Sequence, residues 1–301
     1  MRAHFEKRFA NPRSTDRGRL VWDYWHVPGQ YTVLRTPAWE YFPKKIYDQF
    51  HQKLVAWGRE NLGCHDVSPP WLSLYVDGME QKLHADVPHG PWAFVYSVCP
   101  KKLGFTGGDT LLLNPEILDY WNPKNRDSMY GAVLEDSKIT TRVSPEANQL
   151  TLFDPRIPHG VSPVSGTQGD PLLGRLVIHG WFVNPRPFIS GPLNPQELSH
   201  LIDEISVLLP EVLTRATLKE SQDDIPMPDI SPHGTWIARF NVSSSGRVTR
   251  VQVLGNQLRS LTRRQSDAIT YDLTEIISEF GFSKKSKSSV VTLPLQFGAE
   301  D

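Results

Sequence analysis

The sequence predicts a mainly β protein with flanking helices, followed by a small α+β module, and three observations carry that reading. Between about residues 71 and 183 the apolar residues fall into short runs rich in β-branched and aromatic types. Turn chemistry separates the runs: VDGMEQ, KKLGFTGG and the proline-rich DPRIPHGVSP. Helical periodicity is confined to segments before and after this stretch. Short strands without long intervening helices argue a β sandwich or barrel.

The first helix is expected at roughly 43–61, where Pro43 suits the first turn and Tyr47, Phe50, Leu54 and Trp57 share one face. The strands WLSLYV, AFVYSVC, DTLLL, NQLTLF and GRLVIHGWFV follow. A second helix, about 195–209, carries the stripe Leu198, Leu201, Ile202, Ile205, Leu208 and Leu209. The stretch TLKESQDDIPMPDISPHG then loses periodicity and reads as a linker over 219–233, so the first domain is placed at 1–218 and a second module at 234–301.

That module reads as ββαβ. TWIARFNV alternates with Trp236, Ala238 and Phe240 on one face, VTRVQVLG pairs with it, a helix spans about 260–280, and SVVTLPLQF closes the sheet. Pro294 lacks an N–H, which predicts an edge or a bulge for the last strand. The module has no assigned role beyond a candidate protein partner.

Composition narrows the function classes. A net charge of −1 projects no long-range field toward nucleic acid or an anionic membrane, and neither partner is expected. Cys64 and Cys99 are too few for a disulfide framework, the N-terminal segment shows no apolar signal region, and no run reaches the length of a membrane span. A cytoplasmic protein is the expectation. Prolines at a count of 25 punctuate strands and loops, while the nine tryptophans suit a core or a pocket.

The chemistry concentrates in LHADVPHG. In an extended strand residues i and i+2 point to one side, so His84 and Asp86 present an imidazole and a carboxylate to one ion. FDPRIPHGVSPV offers His159 as the third ligand. Two histidines and one carboxylate on one face of a metal form the facial triad of non-haem Fe(II) oxygenases, with the opposite face open. With ten histidines in the chain, His-x-Asp alone is weak; order and context strengthen it.

LSLYVDGMEQKLHAD, with Tyr75 and Gly78 before the His-x-Asp, resembles the strand–turn–strand entry of the prolyl 4-hydroxylase-like branch of the Fe(II)/2-oxoglutarate-dependent dioxygenases. FTGGDTLLL resembles that branch's Gly-Gly strand, LTLFDPRIPHGVSPVSG its distal-histidine segment, and GRLVIHGWF its closing strand. In that closing strand a basic residue precedes a Trp by six positions, as Arg175 precedes Trp181. The four segments occur in family order over somewhat more than a third of the chain. Arg175 lies sixteen positions after His159, farther than the family pattern, and the extra TQGDPLL reads as a lengthened hairpin loop.

The resemblance implies a double-stranded β-helix (jelly-roll) core, with Fe(II) held by His84, Asp86 and His159. It also implies 2-oxoglutarate as cosubstrate, O2 as oxidant and ascorbate as a candidate reductant. Arg175 would meet the distal carboxylate bidentately. Tyr96 would lend that carboxylate a hydroxyl, with Ser97 as the alternative in register, and Tyr75 would bond near the metal end. Either tyrosine is equally a core residue with its OH satisfied locally. The implied reaction hydroxylates a C–H bond of an amino acid, a peptide or protein side chain, or a small metabolite, releasing succinate and CO2. Retention of Asp86 argues against halogenation.

His179, Trp181 and Arg35 are weak candidates for substrate contact, and His89 for the pocket mouth. The segment 21–43 reads either as pocket lining or as a strand pair covering the barrel. The alternative function is a catalytically silent β scaffold that binds a partner through the C-terminal module; an intact triad with Arg175 argues against it.

Overall fold

The computed structural model describes residues 1–11, 22–87, 89–114, 139–218 and 231–298, so most of the expected linker (219–230) lies outside the described residues. The chain forms two compact units: Met1–Leu54 with Val67–Val183, and Val55–Asp66 with Asn184–Asp301.

The first unit opens with α1 (Arg2–Phe9) and the strands β1 (Asp23–Val27) and β2 (Tyr31–Pro37). After the short α2 (Ala38–Tyr41) comes α3 (Lys44–Leu62), which passes from the first unit to the second after Leu54; Leu54 and Val55 are buried while Trp57 stays exposed, against the face expected from spacing. After β3 (Cys64–Val67), of which Cys64–Asp66 count with the second unit, the strands β4 (Trp71–Tyr75), β5 (Gln81–His84), β6 (Trp92–Ser97), β7 (Thr110–Leu113), β8 (Thr140–Val143), β9 (Leu150–Phe153), β10 (His159–Val161) and β11 (Arg175–Pro185) follow. Together they build an antiparallel sheet in the order β8-β7-β10-β5-β2-β4-β11-β6-β9, with β1 on β2 and β3 on β11. This nearly closed sheet is the jelly-roll core.

Register determines which side chains share its interior. Antiparallel residues directly opposite one another lie on one face. Arg175 pairs with Tyr75, Val177 with Ser73 and Ser97, and His179 with Trp71 and Val95. On the next strand Arg35 pairs with Ser73, and across the sheet His159 pairs with His84. The alternate residues of the same strands, Leu72, Leu74, Phe94, Leu176, Ile178 and Phe182, are fully buried on the other face. Each contributes roughly 1.5–3 kcal/mol by leaving water. The sheet is thus apolar on one side and free to carry chemistry on the other.

Segment 21–43 resolves into both expected readings: β1 and β2 are a strand pair, and β2 lies within the main sheet with Arg35 lining the pocket. The paired glycines of FTGGD, Gly107 and Gly108, both take positive φ (71° and 69°), which a side chain would resist.

The second unit contains β12 (Phe188–Ser190), α4 (Pro195–Leu218), β13 (Gly234–Val242), β14 (Val248–Asn256), α5 (Arg263–Glu279) and β15 (Ser289–Phe297), with sheet order β12-β15-β13-β14. The expected ββαβ pattern is present, and a Thr262–Gln265 capping box starts α5. The helix α4 runs nine residues beyond its expected end, and Leu198, Leu201, Ile205, Val212 and Ala216 pack with Trp236, Phe240, Ile269 and Leu273 in one core. The sequence places this helix with the first domain; its apolar stripe belongs to the second unit's core. The closing strand is not at the sheet edge over its first half. β12 pairs only with Val290–Thr292 and has ended before Pro294, so the missing N–H of Pro294 falls where no ladder partner remains on that side.

No helix among the described residues is long and apolar enough to cross a membrane.

Candidate active site

His84 ends β5 and His159 begins β10, and the register places them directly opposite, with ring centroids 4.4 Å apart. Asp86 follows two residues after His84, and its two oxygens lie 3.6 Å from His84 Nε2 and 3.6 Å from His159 Nε2. The ligand atoms of all three lie within 4.8 Å of one another.

The histidine tautomers follow from their partners. His84 Nδ1 lies 2.9 Å from the Lys82 carbonyl and His159 Nδ1 2.9 Å from the Ile157 carbonyl. A carbonyl only accepts, so each Nδ1 carries the proton and each Nε2 presents a lone pair toward Asp86. Phe153 packs on the His159 ring at 4.6 Å and fixes its plane. The Asp86 carboxylate 3.6 Å away favours the protonated form of His84 and holds its pKa above the ordinary value despite burial. Burial, opposed by the Ile157 carbonyl, holds His159 below its own. Burial also pushes Asp86 up, and His84, His159 and His179 together outweigh it and hold the carboxyl below the usual range. Two neutral nitrogen donors with one carboxylate are a donor set that fits a divalent transition metal.

Arg175 occupies the same cavity, of roughly 160 Å³, and is only 1% exposed. Its Nη2 donates to Thr110 Oγ1 at 3.1 Å and its Cζ lies 4.9 Å from the Tyr75 ring centroid. Its Nε has no partner, and among the described residues no carboxylate lies within ion-pair distance of it. Burial accordingly depresses its pKa. Asp109 attracts it from beyond ion-pair distance without offsetting this; a guanidinium taken out of water this completely, without a contacting anion, carries a large desolvation cost that a bound carboxylate would offset. Gly108 makes room for it, since a Cβ there would stand 3.0 Å from Arg175 Cδ.

Tyr75 lines the cavity, is 4% exposed, and donates a 3.4 Å hydrogen bond to Gln81 Oε1. Its burial raises the phenol pKa, so the OH stays protonated. Tyr96 does not join the site. It pairs with Ile178 on the opposite face of β6, donates to Asn148 Oδ1 and stacks near Phe50. Ser97 has the inward parity, but its hydroxyl donates to the Pro145 carbonyl at 3.0 Å. Strand parity corrects the expectation for Tyr96, and the Pro145 carbonyl occupies the hydroxyl of Ser97; the hydroxyl that bonds Arg175 is that of Thr110.

His179, Trp181 and Arg35 all line the cavity. His179 Nε2 bonds Ser73 Oγ at 2.8 Å, and burial, with Arg175 and Arg35 nearby, pushes its pKa down to about 4. Trp181 Nε1 is buried without a partner, and its ring meets His89 at 4.8 Å.

Sequence reasoning missed Gln81, whose amide Nε2 lies 3.1 Å from His84 Nε2. Gln81 and His84 are three apart, which strict alternation would send to opposite faces. The register shift between His159 and Val161, opposite His84 and Gln81, breaks the alternation and turns Gln81 inward. No residue pattern signals such a bulge.

No family model matches the chain, and no curated protein does. Solved structures do. A Pseudomonas putida prolyl-4-hydroxylase aligns at 18% identity and TM-score 0.34 over 54% of this chain and 77% of that one. A 2OG-Fe(II) oxygenase family oxidoreductase from Burkholderia pseudomallei aligns at 9% identity and TM-score 0.36, over 52% and 70%. HygX from Streptomyces hygroscopicus, with nickel and 2-oxoglutarate bound, aligns at 13% identity and TM-score 0.36, over 60% and 77%. With values this low, the chain's own residues carry the functional reading.

Proposed function

We propose that the protein is an Fe(II)- and 2-oxoglutarate-dependent oxygenase that hydroxylates a substrate C–H bond. One observation carries the reading: a fully buried guanidinium without an acidic partner shares a cavity with a two-histidine, one-carboxylate donor set. A catalytic zinc site for hydrolysis has no use for such an arginine, and a silent scaffold has no use for either feature. The overall reaction balances as 2-oxoglutarate, O2 and R–H giving succinate, CO2 and R–OH.

His84, Asp86 and His159 would hold the iron, which when bound supplies the redox chemistry coupling O2 to the oxidation of cosubstrate and substrate. The rest falls to the protein. The carbonyls of Lys82 and Ile157 keep both imidazoles in the ligating tautomer. Arg175 and Thr110 receive the distal carboxylate of 2-oxoglutarate in a place where water competes poorly. Tyr75 supports the guanidinium from below and holds the Gln81 carbonyl. Phe153, Val95, Val177 and Trp181 line the cavity with apolar surface that excludes water from the reacting centre.

The test is succinate formation with matched iron analysis. The purified protein should bind one iron and turn over 2-oxoglutarate; His159→Ala should lose both while keeping its circular dichroism spectrum. Normal succinate production by His159→Ala would sink the assignment.

A further inference from the structure

We propose that Arg35 anchors the substrate of this oxygenase and that the substrate is a small carboxylic acid, otherwise apolar; the inference rests on the oxygenase reading above. Arg35 stands on β2 opposite Ser73, on the same inward face as Val177, and lines the cavity of the triad. Its guanidinium is clamped between two indoles, with Cζ 3.2 Å from the Trp25 ring centroid and 4.3 Å from that of Trp71. Two indoles against it restrict the fork and favour a partner at its edge, where the N–H donors lie.

That edge lacks an acid. Arg35 Nε is buried without a hydrogen bond, and among the described residues no carboxylate lies within ion-pair distance. Asp23, its cross-strand neighbour on β1, is exposed and makes no such pair; its through-space attraction does not offset the burial of the guanidinium. A stacked arginine that only filled space would not require an unpaired, buried donor.

Charge in the cavity points the same way. Arg175 and Arg35 are its two guanidiniums and Asp86 its single carboxylate, which leaves one positive charge. A divalent metal and the dianionic cosubstrate cancel each other, so a monoanion completes the balance. Arg175 is the deeper of the two, at 1% exposure, and suits the cosubstrate; Arg35, half-buried, is left for the substrate. No second acid lines the cavity to receive an ammonium group once Asp86 holds metal, which disfavours an α-amino acid. Trp71, Trp181 and Phe153 offer apolar surface for a hydrocarbon part.

The experiment is calorimetric titration of the full chain, with Zn(II) and saturating 2-oxoglutarate present, by hexanoate, hexanamide and 2-aminohexanoate. Hexanoate should bind at least about tenfold more tightly than either analogue, because a charge-assisted fork is lost in one and an unpaired ammonium is buried in the other. Arg35→Leu should abolish the preference for hexanoate over hexanamide while retaining the wild-type affinity for 2-oxoglutarate, which also shows that the variant is folded; Arg35→Lys should fall between. Equal binding of the three probes, hexanoate binding unchanged in Arg35→Leu, or competition of hexanoate with 2-oxoglutarate would each overturn the proposal. Failure of 2-oxoglutarate to bind the wild-type protein would instead strike the oxygenase reading, and the hexanoate comparison without it would still test Arg35.

Discussion

Replacing Arg175 with leucine separates the two demands that the cavity makes on this residue. In the free protein the guanidinium is 1% exposed, spends one N–H on Thr110 and leaves Nε unpaired. Its removal takes away a buried, uncompensated charge, so the free variant should melt no lower than the wild type. With cosubstrate the order reverses. Losing one partner of a buried charge pair costs about 3–5 kcal/mol, on the order of a hundred- to several-thousand-fold in affinity. Thermal melts read both effects at once. At 2-oxoglutarate about a hundredfold above its dissociation constant the wild type gains about 2.7 kcal/mol, several degrees in Tm, whereas the variant at the same concentration gains essentially nothing. Arg175→Lys should fall between, since a point charge replaces a fork. Coincident melting shifts for Arg175→Leu and the wild type would refute the reasoning and move the cosubstrate anchor elsewhere.

Other outcomes follow from neighbouring contacts. Tyr96→Phe should leave the 2-oxoglutarate affinity unchanged within about twofold by titration, because its OH bonds Asn148 on the far face of β6. Gly108→Ala should weaken cosubstrate binding by about tenfold, since φ is 69° there and the new Cβ would press on Arg175 Cδ. In the second unit Glu197 accepts hydrogen bonds from Lys285 Nζ and Ser283 N, which together lower its pKa from 4.5 to about 2. A depressed carboxyl stabilises the fold above its unfolded value and loses that contribution as pH falls through the folded one. Glu197→Gln should therefore melt lower than wild type at pH 7, and the difference should fade between pH 4.5 and about 2.

What the sequence disclosed, and what it hid, divides along physical lines. The triad was legible because i, i+2 spacing on a strand carries direction as well as identity, and because His159 follows a recognisable apolar strand. Arg175 was legible through its offset from Trp181 along β11, despite the lengthened loop before it. Tyr96 was misassigned because both faces of AFVYSVC carry residues fit for burial, so alternation does not say which side faces the cavity. Gln81 was hidden by a register shift, which only pairing reveals. The amphipathic stripe of α4 was plain, but periodicity shows that a helix has a buried face without showing what covers it; Trp236 and Leu273, distant in sequence, do so. Pro294 correctly marked a break in pairing, though the strand carrying it is interior where β12 is still beside it.

On the proposed reading one cavity holds a metal on His84, Asp86 and His159 and a 2-oxo acid on Arg175. Anaerobic addition of Fe(II) and then 2-oxoglutarate tests it most directly, because chelation of Fe(II) by a 2-oxo acid produces a metal-to-ligand charge-transfer band. The wild type should give a saturable band, absent from His84→Ala, Asp86→Ala and His159→Ala, and displaced to much higher cosubstrate concentration in Arg175→Leu. A folded wild-type protein that binds Fe(II) and 2-oxoglutarate without the band, or a band of normal intensity in any of the three alanine variants, would contradict it.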